Sequence, residues 1–165
     1  MTFLFYLMYS LSAVNAHHNT SLELVEEYKL QEIARVQKEA FDKKQHTCLV
    51  NALYHEARGE PKRGIKLVAQ VIINRTKSNT FPNTICEVVN YKVKRVCAFS
   101  SCSKFNSKMK DRVSYYKVAI IAEEAILGSY RHMTKANYFK VCSHESGFFN
   151  KLSFSGREGK HCFYH

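Results

Sequence analysis

Tyr54-His55-Glu56-Ala57-Arg58-Gly59-Glu60-Pro61 is the stretch that decides how the chain is read. Just before it, Leu49, Val50, Ala52 and Leu53 form an apolar helical run, so Glu56 stands near a helix end. Gly59 can end that helix in a left-handed conformation, and Pro61 suits the first turn of the next one. A carboxylate at the end of a packed helix, beside a tight turn opening onto solvent, is well placed for acid–base work. The alternative is an ordinary surface or salt-bridged Glu.

Downstream of this turn, Ile65, Val68, Ala69 and Ile72 recur at helical spacing, which predicts a helix from Pro61 to about Lys77. It would form a helical hairpin with the Glu56 helix. Phe81-Pro82-Asn83-Thr84 reads as a turn, with Thr84 capping a short helix to Asn90. Residues 91–103 read as mixed strand or loop. Asp111 caps a helix containing Val113, Tyr116, Ile120 and Leu127, closed by Gly128. From Ala136 onward, Asn137-Tyr138-Phe139 and His161-Cys162-Phe163-Tyr164 are short β-like runs around a polar loop.

Upstream, Thr47 is expected to cap the Glu56 helix. Residues 20–44 read as a separate, charged amphipathic helix, opened by the capping box Thr20-Ser21-Leu22-Glu23. Leu22, Val25, Ile33, Val36 and Ala40 lie roughly on one face, which fits a packing or spacer role. The expected fold class is therefore α+β, mostly helical, with a small β element.

The 165 residues suffice for one domain with its own core. With 25 Lys+Arg against 14 Asp+Glu, the net charge of +11 favours a polyanionic partner: nucleic acid, an anionic wall or a membrane. Residues 1–16 carry no charged side chain and end Ala13-Val14-Asn15-Ala16, which fits a secretory signal cut after Ala16. An uncleaved anchor or a buried first helix is the other reading. The organisation expected is a signal over 1–16, the amphipathic helix over 17–46 and one domain over 47–165.

Cys48, Cys86, Cys97, Cys102, Cys142 and Cys162 make an even count, as expected of disulfides in an exported chain. Cys97–Cys102 and Cys142–Cys162 are the favoured pairs, because both would tie loops near the proposed cleft. The other reading leaves several as free, buried small hydrophobes. Spacing matches no CxxC pair, and His55, His144 and His161 form no H-E-x-x-H, so neither a metal nor another cofactor is expected. A nucleophilic Cys48 or Cys97 would need a paired His. Glu60 is expected to orient the turn by pairing with Arg58 or with the amino end of the next helix.

The order Tyr54 to Pro61, Gly64, Val71-Ile72-Ile73-Asn74-Arg75, Phe81-Pro82-Asn83-Thr84 resembles the SleB-type cell-wall hydrolases, which include spore-cortex lytic enzymes and phage lysis proteins. Cys97-Ala98-Phe99-Ser100 is similar to the family's Cys-Gln-Phe-Ser-Trp, and Gly159-Lys160-His161-Cys162-Phe163-Tyr164 to its terminal Gly-x-His-x-Phe-Tyr. The resemblance covers about residues 47–165. Ala98, Ser101 and Lys140 depart from the family residues, and the chain has no Trp, so sugar stacking would fall to Tyr and Phe.

What the resemblance implies is a lysozyme-like catalytic domain with Glu56 as the catalytic residue. Phe99, Ser100, Tyr138 and His161 would line a glycan cleft, with Arg58, Gly59, Glu60, Asn74 and Arg75 supporting the motif. Ordinary glycosidases use two carboxylates, whereas this chain advertises one. One Glu suffices if the C6 hydroxyl of N-acetylmuramic acid attacks its own C1, giving a 1,6-anhydro product. The expectation is an exported, monomeric enzyme acting on bacterial peptidoglycan as a lytic transglycosylase or muramidase, in the periplasm or outside the cell. It would have no nucleic-acid partner and no membrane anchor after signal cleavage. A phage endolysin and a bacterial wall-remodelling enzyme both fit. The alternative is a secreted basic protein that binds wall or nucleic acid without catalysis.

Overall fold

A computed structural model describes residues 2–104 and 109–165, with side chains over 23–102 and from 109 onward. The chain divides into two compact units, Met1–Asp42 and Lys43–His165.

The first helix, α1, runs unbroken over Thr2–Ala57. This corrects the expectation of two helices. Neither Gly nor Pro occurs before Gly59, so nothing interrupts helical propagation. Thr47 is interior rather than a cap: its hydroxyl donates to the Lys43 carbonyl one turn back. The backbone is already helical at Thr20, so the capping box there is no helix start. The expected cleavage point at Ala16 has its side chains outside the described residues.

In the first unit, Arg35 bridges Glu32 and Glu39 at 2.6 and 3.0 Å, and Lys38 pairs with Asp42 at 3.0 Å. Solvent screens such exposed pairs, so they contribute little to stability. Val25, Ile33 and Val36, the expected packing face, are exposed. Among the described residues, no helix is long and apolar enough to cross a membrane.

The second unit holds the core. The end of α1 contributes Leu49, Ala52 and Leu53, which are fully buried. Helix α2, Lys62–Thr76, begins after Pro61 as expected and buries Ile65, Val68, Val71 and Ile72. Helix α3, Ile85–Val89, is capped by Thr84, whose hydroxyl accepts from the Glu87 N–H. A two-stranded antiparallel hairpin follows, β1 (Lys92–Val93) and β2 (Val96–Cys97), then a short helix, α4 (Ser101–Lys104).

Helix α5, Arg112–Ile126, is capped by Asp111, which accepts from the Ser114 N–H. Its buried face is Val118, Ile121, Ala122 and Ala125, whereas Val113, Tyr116, Ile120 and Leu127 are exposed. Apolar residues thus lie on both faces of α5. The sheet β3-β5-β4 is antiparallel, with β3 at Tyr138–Val141, β4 at Phe154–Glu158 and β5 at His161–Tyr164. Strand β4 adds to the two β-like runs expected.

Three disulfides fasten this unit. Cys97–Cys102 and Cys142–Cys162 are the two favoured pairs, and Cys48–Cys86 ties α1 to α3.

Candidate active site

Glu56 sits in the last turn of α1, half-buried, and Gly59 and Pro61 stop the helix just beyond it. Tyr54 steadies the same turn: its hydroxyl accepts from the Asp111 N–H at 3.0 Å. Lys117 Nζ donates to the Arg58 carbonyl at 3.0 Å, satisfying a backbone group past the helix end. Arg58 itself turns back, donating to the Tyr54 carbonyl at 2.9 Å with its guanidinium over the Tyr54 ring. It therefore does not pair with Glu60.

Two donors converge on Glu56 Oε1: the Ser100 N–H and the Ser100 hydroxyl, each at 2.6 Å. Charge-assisted contacts of this length are the strong class of hydrogen bond. They fix one carboxyl oxygen and leave Oε2 with no hydrogen-bond partner among the described residues. Ser100 follows β2 and is held on a loop stapled by Cys97–Cys102.

Phe99, expected on the cleft wall, is instead a core ring with 2% of its surface exposed. It packs against Phe139 and lies on the Arg75 guanidinium at 4.9 Å. Its part is to anchor the Ser100 loop from beneath. Arg75 also lies against Phe81 at 4.8 Å and Tyr138 at 5.5 Å, and its Nε donates to the Asn137 carbonyl at 2.7 Å. Burial brings its pKa down to about 10, opposed by Tyr138. No carboxylate pairs with Arg75 among the described residues; π faces and one carbonyl hold it. Asn74, next to it, donates to the Thr134 and Ala136 carbonyls at 3.0 and 2.9 Å and accepts from Gln70 at 2.7 Å. Together these two residues lock the start of β3 and the Phe99 loop onto α2. Tyr138 is half-buried, with its ring between Phe81 and Phe148.

Glu60 has a different partner from either expected: its Oε2 accepts from the Lys160 N–H at 2.9 Å. This joins the α1–α2 turn to the β4–β5 turn. Gly159 has φ +56, and a Cβ there would lie 2.0 Å from Glu60 Oε2, so only glycine allows the approach. His161, expected at the cleft, is 4% exposed and ringed by Phe139 and Phe163. Its Nδ1 is buried without a hydrogen-bond partner among the described residues. Burial lowers its pKa, while the Glu60 and Glu56 charges oppose that shift. His161 thus stands behind the two carboxylates rather than on an open wall. The Glu60–Lys160 tie joins residues far apart in sequence, and no local signal announces it.

A family model described as Cell Wall Hydrolase matches residues 59–164, well over half the chain. The chain belongs to the cell wall hydrolase family. The match starts just after Glu56, so the case for Glu56 rests on its position and its hold by Ser100. Among solved structures, this cell wall hydrolase is similar to the catalytic domain of the germination-specific lytic transglycosylase SleB from Bacillus anthracis. The identity is 28% and the TM-score 0.59, over 73% of this chain and 93% of that one. The Bacillus cereus SleB catalytic domain shares the fold, at 24% identity and a TM-score of 0.57, over 74% of this chain and 91% of that one. The mostly helical, lysozyme-like architecture with small sheets is that of these domains.

Spore cortex-lytic enzymes from Bacillus cereus and Bacillus subtilis strain 168 are 51% and 49% identical over 41 residues. That stretch is 25% of this chain but only 16% and 13% of theirs.

Proposed function

We propose that this cell wall hydrolase cleaves the glycan strands of bacterial peptidoglycan, with Glu56 as the general acid and base. The observation that carries the reading is the geometry at Glu56: one oxygen is held by two Ser100 donors and the other is left to address a substrate. Similarity to a lytic transglycosylase catalytic domain over 93% of its length supports the same reaction class.

The chemistry follows from having one working carboxyl. One Glu60 oxygen is tied to the Lys160 N–H, and we assign both proton transfers to Glu56. Glu56 gives its proton to the leaving glycosidic oxygen as the C1–O bond breaks. The resulting carboxylate then takes the proton of the muramoyl C6 hydroxyl as that oxygen bonds to C1. The product is a 1,6-anhydro sugar, and Glu56 ends protonated, ready for another turnover. A water in place of that hydroxyl would give a reducing end, the muramidase outcome.

We further propose that the enzyme is exported and works as a monomer, with residues 1–16 as its secretory signal. Three disulfides fit an oxidising compartment, and the +11 charge fits an anionic wall. Both host lysis by a phage and wall remodelling by a bacterium use such an activity. Mass spectrometry of muropeptides released from purified wall tests the reaction. Anhydro ends are expected; reducing ends would replace the transglycosylase step with hydrolysis. Binding to wall with no released fragment would leave a basic binding protein instead.

A further inference from the structure

The β1–β2 hairpin, Lys92-Val93-Lys94-Arg95-Val96-Cys97, carries nothing that the proposed reaction uses, yet it is built in an unusual way. Val93 pairs with Val96, so Lys94 and Arg95 form a two-residue turn. Both have left-handed φ, 48° and 70°. Tight hairpin turns of this kind favour Asn-Gly, because a Cβ crowds the backbone at positive φ, a strain that Gly lacks and Asn offsets by local hydrogen bonding. Here two long cations occupy both positions.

All five residues from Lys92 to Val96 are exposed, and Val93 and Val96 share one face as a cross-strand pair. Lys92, Lys94 and Arg95 pair with no carboxylate among the described residues. The hairpin therefore ends in an unneutralised cationic tip with a small apolar flank.

Its location gives the tip a target. The Ala98 N–H donates to the Tyr91 carbonyl at the hairpin base, and Cys97–Cys102 staples the loop that follows. That loop delivers Ser100 to Glu56. Arg95 is five residues before Ser100, so the tip lies within about 17 Å of the Glu56 contact, within reach of an extended polymer bound there. In peptidoglycan, the groups flanking the scissile bond are peptide stems, which carry carboxylates.

We propose that the Lys94-Arg95 tip is a stem-peptide recognition site, taking carboxylates of the stem next to the bond being cut. It would make the enzyme selective for peptide-bearing strands over bare glycan. The inference rests on the glycan-cleaving reading above for the identity of the polymer.

The test is a Lys94→Asn/Arg95→Gly double variant, which suits the turn and removes both cationic side chains. Its kcat/KM is compared with wild type on peptide-bearing strands and on strands stripped of stems by an amidase. Exposed ion pairs predict a roughly three- to tenfold loss on peptide-bearing strands, shrinking in high salt. Stripped strands should be cut equally by both proteins. Equal rates on peptide-bearing strands, or an equal loss on both substrates, would overturn the proposal. The same pair of strands is then used for retention by Glu56→Gln with and without the hairpin changes. Stem-dependent retention lost with the tip upholds the site even if no strand is cut, in which case the catalytic reading alone fails. Cleavage by wild type with no effect of the tip in either assay removes the recognition site and leaves catalysis standing.

Discussion

Replacing Ser100 by Ala removes one of the two donors on Glu56 Oε1 and leaves the backbone N–H in place. A hydrogen bond to a charged group contributes about 1.5–3 kcal/mol, and the exposure of Ser100 sets the lower end, about 1.5 kcal/mol. If the carboxyl must be held for proton transfer, that energy is lost at the transition state and kcat falls about tenfold. The loss should sit in kcat, with KM moving less than about twofold, since the serine positions Glu56 rather than the sugar. Stability should fall by no more than that same ~1.5 kcal/mol, since the bond is already present in the resting fold. Release of soluble muropeptides against wall concentration separates the two constants, and thermal melting checks the fold. Ser100→Thr, which keeps a hydroxyl, should retain most of the rate. A Ser100→Ala enzyme with unchanged kcat, or one altered only in KM, would refute the positioning role.

Removing Cys48–Cys86 by a double Ser substitution opens a loop of sequence separation 38; loop-closure entropy puts the loss near 4 kcal/mol, readable by urea denaturation. Asn74→Ala leaves the Thr134 and Ala136 carbonyls and the Gln70 amide without their partner, and should cost about 2–4 kcal/mol in the same assay. For His161, burial holds the folded-state pKa below the ordinary value, against the pull of Glu60 and Glu56. Just below about pH 6.5 the unfolded chain therefore binds the extra proton, and stability falls as pH drops. His161→Phe should flatten that part of the melting profile between about pH 7.5 and about pH 5.5; an unchanged slope would show that His161 is not the group responsible.

Much of the second unit was legible because its signals are local. Thr84 and Asp111 cap helices where the sequence places them, since a side chain reaching an N–H three residues on needs no tertiary context. Ser100 is picked out by the family resemblance alone, and it lies against Glu56. Other features depend on contacts that periodicity does not encode. In α5 Val118, Ile121, Ala122 and Ala125 face the core while Val113, Tyr116 and Ile120 face out, so apolar residues lie on both sides and hydrophobicity alone does not choose the face. A single Phe is equally at home in a cleft or in a core, and for Phe99 the Arg75 guanidinium and Phe139 decide for the core. Thr47 reads as a cap because Thr often is one, but with no Gly or Pro nearby the helix continues through it.

The most direct measurement is the rate at which purified Glu56→Gln clears a suspension of bacterial wall, alongside wild type at matched folding by circular dichroism. Gln keeps the size and can still accept from Ser100, but it neither gives nor takes a proton. The account predicts that wild type clears the wall and releases anhydro-ended fragments while the folded Gln variant releases none. Clearance by the Gln variant at a rate near wild type would contradict it.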